Sequence, residues 1–339
     1  MRLLCLVVLF LAAPAQAGVV FMYHRFGESE YPSTNIRMEQ FERQLEYLAE
    51  NGYEVWPLPR LAAALEAGEN IPDRVVALTI DDAYASVHGK AWPLLRRYDF
   101  PFTVFVSTDM VDSGASDYMS WQQLRELHAA GVTLANHTAT HDYLVRRKDA
   151  ESETAWLRRV SSDIGKAQRR LQEELGKEAN ESPRLFAWPY GEYSLALKDR
   201  VEKMGYLAFG QHSGAVYPGA DLQALPRFPV NERYGELDDF SLKAGTRGFP
   251  VQTVSPVDPV RNDAVAPELR IRFGNSDARL GEMVCYFGSE RIEPEQVSPG
   301  EFVVQAGGDL PMGRSRYNCT APGPDGRYYW YSHLWIRTR

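Results

Sequence analysis

Cysteine is scarce: the chain of 339 residues has three, at positions 5, 285 and 319. Positive charge is in deficit too, with 37 Lys and Arg against 45 Asp and Glu and a net charge of −8. That balance lacks the electrostatic footprint of a nucleic-acid binder. There is no internal repeat and no low-complexity tract. Nor is the apolar run at the N-terminus, Leu3 to Ala13, long enough to span a bilayer. No transmembrane anchor is expected from it. A mean hydropathy of −0.37 and 44% apolar residues describe a soluble globular chain.

That short run has another reading. Arg2, the apolar core and Pro14-Ala-Gln-Ala17 together have the charge, length and small-residue ending of a secretory signal. Cleavage after Ala17 would remove one Arg and no acid, leaving 36 basic against 45 acidic residues and a net charge of −9. The mature protein is then expected to be secreted or periplasmic. Cys5 lies inside the apolar core, not at its end, which argues against a lipid-anchored cysteine. An oxidising compartment favours a single disulfide between Cys285 and Cys319, the alternative being two reduced, buried thiols.

From residue 18 to about 240, apolar runs of strand length alternate with helical periodicities, which predicts a parallel sheet, and a barrel in particular. The expected strands include Val19–Met22, Val75–Ile80, Pro101–Val106, Val132–Ala135, Leu185–Ala187, Leu207–Phe209 and Ala224–Val230. A long amphipathic helix carries Leu157, Val160, Ile164, Leu171 and Leu175, and Ser120 with Gln123 forms a capping-box pattern. From about Gly245 to Pro267 the prolines multiply, and residues 246–267 read as a linker. Beyond it, short alternating runs separated by Gly and Pro predict a β-sandwich over 268–339.

The chemistry collects where strands end. The run Val75–Ile80 stops at two adjacent carboxylates, Asp81 and Asp82, whose side chains on extended backbone point different ways. Such a pair lets one carboxylate bind a metal while the other faces a substrate. An Asp helix cap is the plainer reading of these residues alone. The strand Val132–Ala135 delivers His137 and His141, spaced so that a tight turn aims both imidazoles at one point. One Asp and two His leave positions open on zinc or a similar divalent ion, as a catalytic site requires.

Three segments then resemble the motifs of the polysaccharide deacetylases of the NodB-homology carbohydrate esterase family. Thr79-Ile-Asp-Asp-Ala-Tyr84 is similar to the first, His137-Thr-Ala-Thr-His141 to the second and Trp188-Pro-Tyr-Gly191 to the third. The resemblance covers residues 18–240 and implies a distorted (β/α)7 barrel, over 18–245, that removes N-acetyl or O-acetyl groups from an acetylated polysaccharide. It implies Asp81 as general base, Asp82, His137 and His141 as ligands of one divalent metal (Zn, or else Ni, Co or Fe), and the Tyr190 N–H as oxyanion donor.

Departures from the pattern matter. Ala83 stands where the first motif has Gly, and the third lacks its opening Arg, for which Arg227 is a substitute or else a surface residue. Trp188, Tyr190, Tyr118 and Trp121 are available to stack on sugars or to fill the core. The family's late Leu-x-His motif is absent, but Met22-Tyr-His-Arg25 resembles the opening motif of the subgroup that deacetylates poly-β-1,6-N-acetylglucosamine. His24 is therefore the candidate acid, with His212 as its competitor. Two rival readings share some of these features: a two-His-one-carboxylate iron oxygenase and a non-catalytic polysaccharide-binding protein. The sequence names no protein partner for the C-terminal segment.

Overall fold

The computed structural model describes residues 17–338. The expected signal segment, apart from Ala17, lies outside them. Seven parallel strands form one sheet in the spatial order Phe228–Pro229, Gly18–Tyr23, Val75–Asp81, Phe102–Val106, Thr133–Asn136, Arg184–Ala187, Tyr206–Phe209. Glu54–Val55 adds a short parallel flank to Val75–Asp81. The arc is drawn together by one segment: Leu225 bridges Phe209 at one end, and Phe228 pairs with Phe21 at the other. Helices pack around the sheet, giving an α/β barrel.

The apolar runs behave as expected of a sheet covered on both faces. Every residue of Gly18–Tyr23, Val75–Asp81 and Phe102–Val106 is buried. The helix Glu153–Leu175 buries Trp156, Val160, Ile164 and Leu171, and Ser120 and Gln123 make their reciprocal cap. One expected strand is much shorter than the run suggests. Of Ala224–Val230 only Phe228–Pro229 pairs as a strand, because Pro226 and Pro229 have no N–H to offer a ladder.

The stretch 246–267 differs more sharply from its sequence reading. It supplies the strands Arg247–Gly248, Val251–Ser255 and Val260–Arg261 to the C-terminal sheets. Pro250, Pro256 and Pro259 fall between these strands, so they punctuate a sheet and do not make a tether. One C-terminal sheet is built around the long hairpin Gly313–Pro322 and Tyr328–Arg337, and the other around Leu269–Phe273 and Glu301–Val304. Phe249, Ile271, Phe273 and Phe302 meet Tyr317, Tyr329 and Trp335 in one buried cluster between them.

Cys285 and Cys319 face each other in register and form a disulfide. Closing that loop is worth roughly 3–4 kcal/mol by chain entropy.

This β region is docked on the barrel. Leu334 and Ile336 join the barrel cluster that contains Trp188, Trp330 meets Phe228 edge-on at 5.2 Å, and Arg327 pairs both nitrogens with Asp73 at 2.9 Å.

Candidate active site

The strand ends converge on a cleft of about 1100 Å³ at the carboxyl rim of the sheet. Val75–Asp81 runs straight until Asp81, and the next two residues, Asp82 and Ala83, turn through the left-handed region at φ 72° and 60°. That turn separates the two carboxylates. Asp81 stays fully buried beneath the rim, whereas the Asp82 side chain reaches the cleft. Thr138 and His141 repeat the device at φ 65° and 55°, which folds the second motif back so that both imidazoles meet Asp82.

Asp82 Oδ1 lies 3.3 Å from His137 Nε2 and 3.2 Å from His141 Nε2. His137 Nδ1 is 2.8 Å from the Ala187 carbonyl, so Nδ1 carries the proton and Nε2 presents a lone pair. Yet Asp82 Oδ1 and His137 Nε2 are both shielded from solvent and make no hydrogen bond. Two buried acceptors aimed at one point are satisfied by a proton or a metal cation between them. The three ligand atoms lie within 4.8 Å of one another, and the set fits a divalent metal.

Electrostatics divide the two aspartates further. Burial alone would raise the Asp82 pKa, but His137 and His141 hold it well below the usual carboxylate range. Burial would likewise raise Asp81, but Arg227 above all, with His137 and His24, keeps it below its ordinary value. Arg227 is fully buried and donates to both Asp81 oxygens, at 2.7 and 2.8 Å. It also donates to Thr79 Oγ1 and to the Gly210 carbonyl, so its guanidinium is locked in place. Leu225-Pro-Arg-Phe-Pro229, the segment that closes the barrel, thus delivers the arginine that Ala187 and Trp188 do not supply.

His24 lines the cleft, and burial lowers its pKa against the opposing pull of Asp82 and Asp81. For His137, burial lowers the pKa, but the two aspartates outweigh it and the net shift is upward. Tyr190 borders the cleft at φ 58°, its ring edge-on to His141 at 4.6 Å and stacked on Tyr143 at 3.9 Å. Tyr84 and Tyr118 stack at 5.1 Å on the cleft wall.

Other sequence candidates are not brought to the site. His212 turns away into a separate hollow with His333. Trp188 is fully buried and donates Nε1–H to the Gln223 carbonyl, so its ring is core and not a sugar platform. Trp121 is held by Asp112 and Arg170, outside the residues lining the cleft.

Sequence reasoning missed Tyr143, and it missed Arg314 altogether. Arg314 reaches over from the C-terminal hairpin to donate to the Tyr190 carbonyl and to Gln211 Oε1, the latter at 2.9 Å. No local signal marks Arg314, because its partner Tyr190 is 124 positions away in the chain.

Residues 68–209 match the family model for polysaccharide deacetylase. Over that stretch the chain is similar to polysaccharide deacetylase domains. A poly-beta-1,6-N-acetyl-D-glucosamine N-deacetylase of Escherichia coli K12 is 25% identical over 226 residues, covering 57% of this chain but 33% of the relative. The chain therefore spans about a third of the length of the Escherichia coli relatives. The Staphylococcus aureus enzyme of the same name is 24% identical over 216 residues, covering 62% of this chain and 73% of that one.

Among solved structures, IcaB from Ammonifex degensii superposes with a TM-score of 0.58 at 26% identity, over 68% of this chain and 98% of that one. The Streptococcus pyogenes deacetylase PplD, in complex with acetate, gives 0.59 at 20% identity, over 68% and 99%, and supports the fold alone. All of these matches leave part of the chain uncovered. No described helix is long and apolar enough to cross a membrane.

Proposed function

We propose that the chain removes N-acetyl groups from an exported polysaccharide containing N-acetylglucosamine, with Asp82, His137 and His141 holding one divalent metal, zinc by preference. The observation that carries this reading is the pair of buried, unpartnered acceptors, Asp82 Oδ1 and His137 Nε2, beside a cleft of about 1100 Å³ that Asp82 and His141 line. A bound metal would supply Lewis-acid polarisation of the acetyl carbonyl and acidify the attacking water.

The protein's own groups do the rest. Asp81, kept ionised by Arg227, is the base that accepts the water proton through the lone pairs Arg227 leaves free. The Tyr190 N–H, turned by its left-handed backbone, donates to the developing oxyanion. His24 returns a proton to the amine nitrogen, because an amide anion is too poor a leaving group to depart without one. Tyr84 and Tyr118 offer a sugar platform on the cleft wall. The relatives' printed names supply the substrate class, and Arg2 through Ala17 supply the export signal.

Incubation with acetylated glucosamine oligomers is expected to release free amine, to stop on chelation and to resume with zinc. Amine release that survives exhaustive chelation, or none under any metal, would remove the proposal. His24→Ala is expected to lose about 10²–10⁴ in kcat on an acetamide and much less on an activated acetate ester, whose leaving group needs no proton. Equal losses on both substrates would take the acid role away from His24.

A further inference from the structure

The cleft does not stop at the metal ligands. A second hollow of about 450 Å³ continues from it, sharing Tyr143, Gln211, Pro229, Asn231 and Arg314 with the first. Its far side belongs to the C-terminal hairpin, through Gly313, Arg314 and Arg316. Three guanidinium groups line this hollow: Arg146, Arg314 and Arg316. Among the described residues the only carboxylate paired with any of them is Glu192, 3.8 Å from Arg314 Nε. In a chain with net charge −8, that local excess of positive charge runs against the overall balance.

The unfilled donors are the telling part. Arg316 is half-buried yet donates a single hydrogen bond, from Nη1 to the Gln211 carbonyl at 3.0 Å. A guanidinium has five N–H groups, so most of the Arg316 donors have no protein partner and are free to meet an anion in the hollow that Arg316 lines. Arg146 lies over the Tyr143 ring at 3.9 Å and has no carboxylate partner among the described residues. Arg314 is different, because its bonds to Tyr190 and Gln211 brace the cleft floor. A structural brace accounts for Arg314. It does not account for Arg146 and Arg316.

We infer that this hollow is a subsite for an anionic substituent, a carboxylate or a phosphate, on a sugar neighbouring the one deacetylated. The inference rests on the deacetylase reading for the polymer, but the recognition chemistry stands on the arginines. Planar guanidinium groups match both anions through paired hydrogen bonds. Tyr190 links the two sites: its carbonyl accepts from Arg314, while its ring meets His141 at 4.6 Å. The C-terminal sandwich is thereby part of the substrate cleft.

The test compares three oligomers on the full, metal-loaded chain: acetylated glucosamine alone, the same with glucuronate units, and the same with phosphate esters. Calorimetric binding is expected to be at least about tenfold tighter for an anionic oligomer, with the gap closing in high salt. Preference for glucuronate over phosphate, or the reverse, identifies the anion. Arg316→Gln and Arg146→Gln are each expected to shrink the gap several-fold. Arg146 is exposed, so its variant stands even if Arg316→Gln unfolds.

Equal affinity for all three oligomers, or a gap untouched by Arg146→Gln and by a folded Arg316→Gln, overturns the inference. Because binding needs no turnover, tight anionic binding without amine release would sink the deacetylase reading and leave the subsite intact.

Discussion

Two hollows in this molecule each lie against a pair of histidines, and they treat imidazole in opposite ways. At the barrel rim, His137 and His141 share their space with Asp82, and the His137 pKa rises despite full burial. Between barrel and sandwich, His212 and His333 line a cavity of about 270 Å³ with Tyr193 and Tyr331. Burial dominates there, driving His212 down to about 4 and His333 to about 3. The one aspartate on that wall, Asp221, is paired with Lys198.

Backbone marks the same contrast. Asp82, Ala83, Thr138, His141 and Tyr190 all have φ between 55° and 72°, whereas no non-glycine residue lining the second hollow has positive φ. A buried histidine pair becomes a ligand set only where a carboxylate is turned towards it, and here that turn is made by strained backbone.

The largest expected effect breaks the first hollow. His141→Ala is expected to lose metal and turnover together, whereas Asp81→Asn keeps metal and loses about 10²–10⁴ in kcat, since it removes only the base. Metal analysis beside kinetics checks both, and metal loss in Asp81→Asn would mean that the two aspartates have exchanged roles. Asp81→Asn also leaves the buried Arg227 short of its counter-charge, a cost of a few kcal/mol, so a thermal melt belongs with it.

A smaller effect sharpens the contrast at the second hollow. His212 has a folded pKa of about 4 against an ordinary value of 6.5, so between those values the unfolded chain binds more protons. Stability is therefore full above pH 6.5 and falls as the pH drops towards 4, by an amount on the order of 3 kcal/mol for this residue. His333 extends the same loss to lower pH. Denaturant titrations from pH 7 to 4 are expected to show the slope, and His212→Leu to flatten it. An unchanged slope in that variant would mean that the cavity histidine is not the group responsible. At the rim, acidification is expected to release metal instead, as protons compete for the raised His137.

The smallest effect concerns Ala83, where the related motif has Gly. Its φ of 60° costs an L residue about 1–2 kcal/mol. Against that, Ala83 is fully buried, so its methyl contributes about 0.8 kcal/mol, and Ala restricts the unfolded chain by about 0.4–1 kcal/mol relative to Gly. Ala83→Gly is thus expected to shift stability by less than about 1 kcal/mol and to leave metal content unchanged. A shift of several kcal/mol either way, read from denaturant melts, would show that the turn beside Asp82 is not balanced as described.

Much of this was legible in one dimension. Strands buried on both faces must be continuous apolar runs, so Gly18–Tyr23, Val75–Asp81 and Phe102–Val106 announce a parallel sheet without any knowledge of their neighbours. The grouping of Asp82, His137 and His141 was legible too, because Asp82 lies at the end of one strand and His137 and His141 follow another closely. The docked sandwich was harder to read. Prolines that read as a linker turned out to sit between paired strands, since a proline removes one donor at its own position and says nothing of the residues on either side.

Sequence alone determined the periodicities, the Asp81-Asp82 pair, the histidine spacing and the two cysteines available to pair, because each depends on residues close in the chain or on residue chemistry. Only the tertiary structure decided which aspartate Arg227 would clamp, which hollow His212 would enter, that Trp188 would be core, and that Arg314 and Arg316 would reach the cleft. Those outcomes depend on contacts between segments up to 146 residues apart. Burial and charge partners act through space, and a side chain's role follows from whichever of them the fold sets beside it.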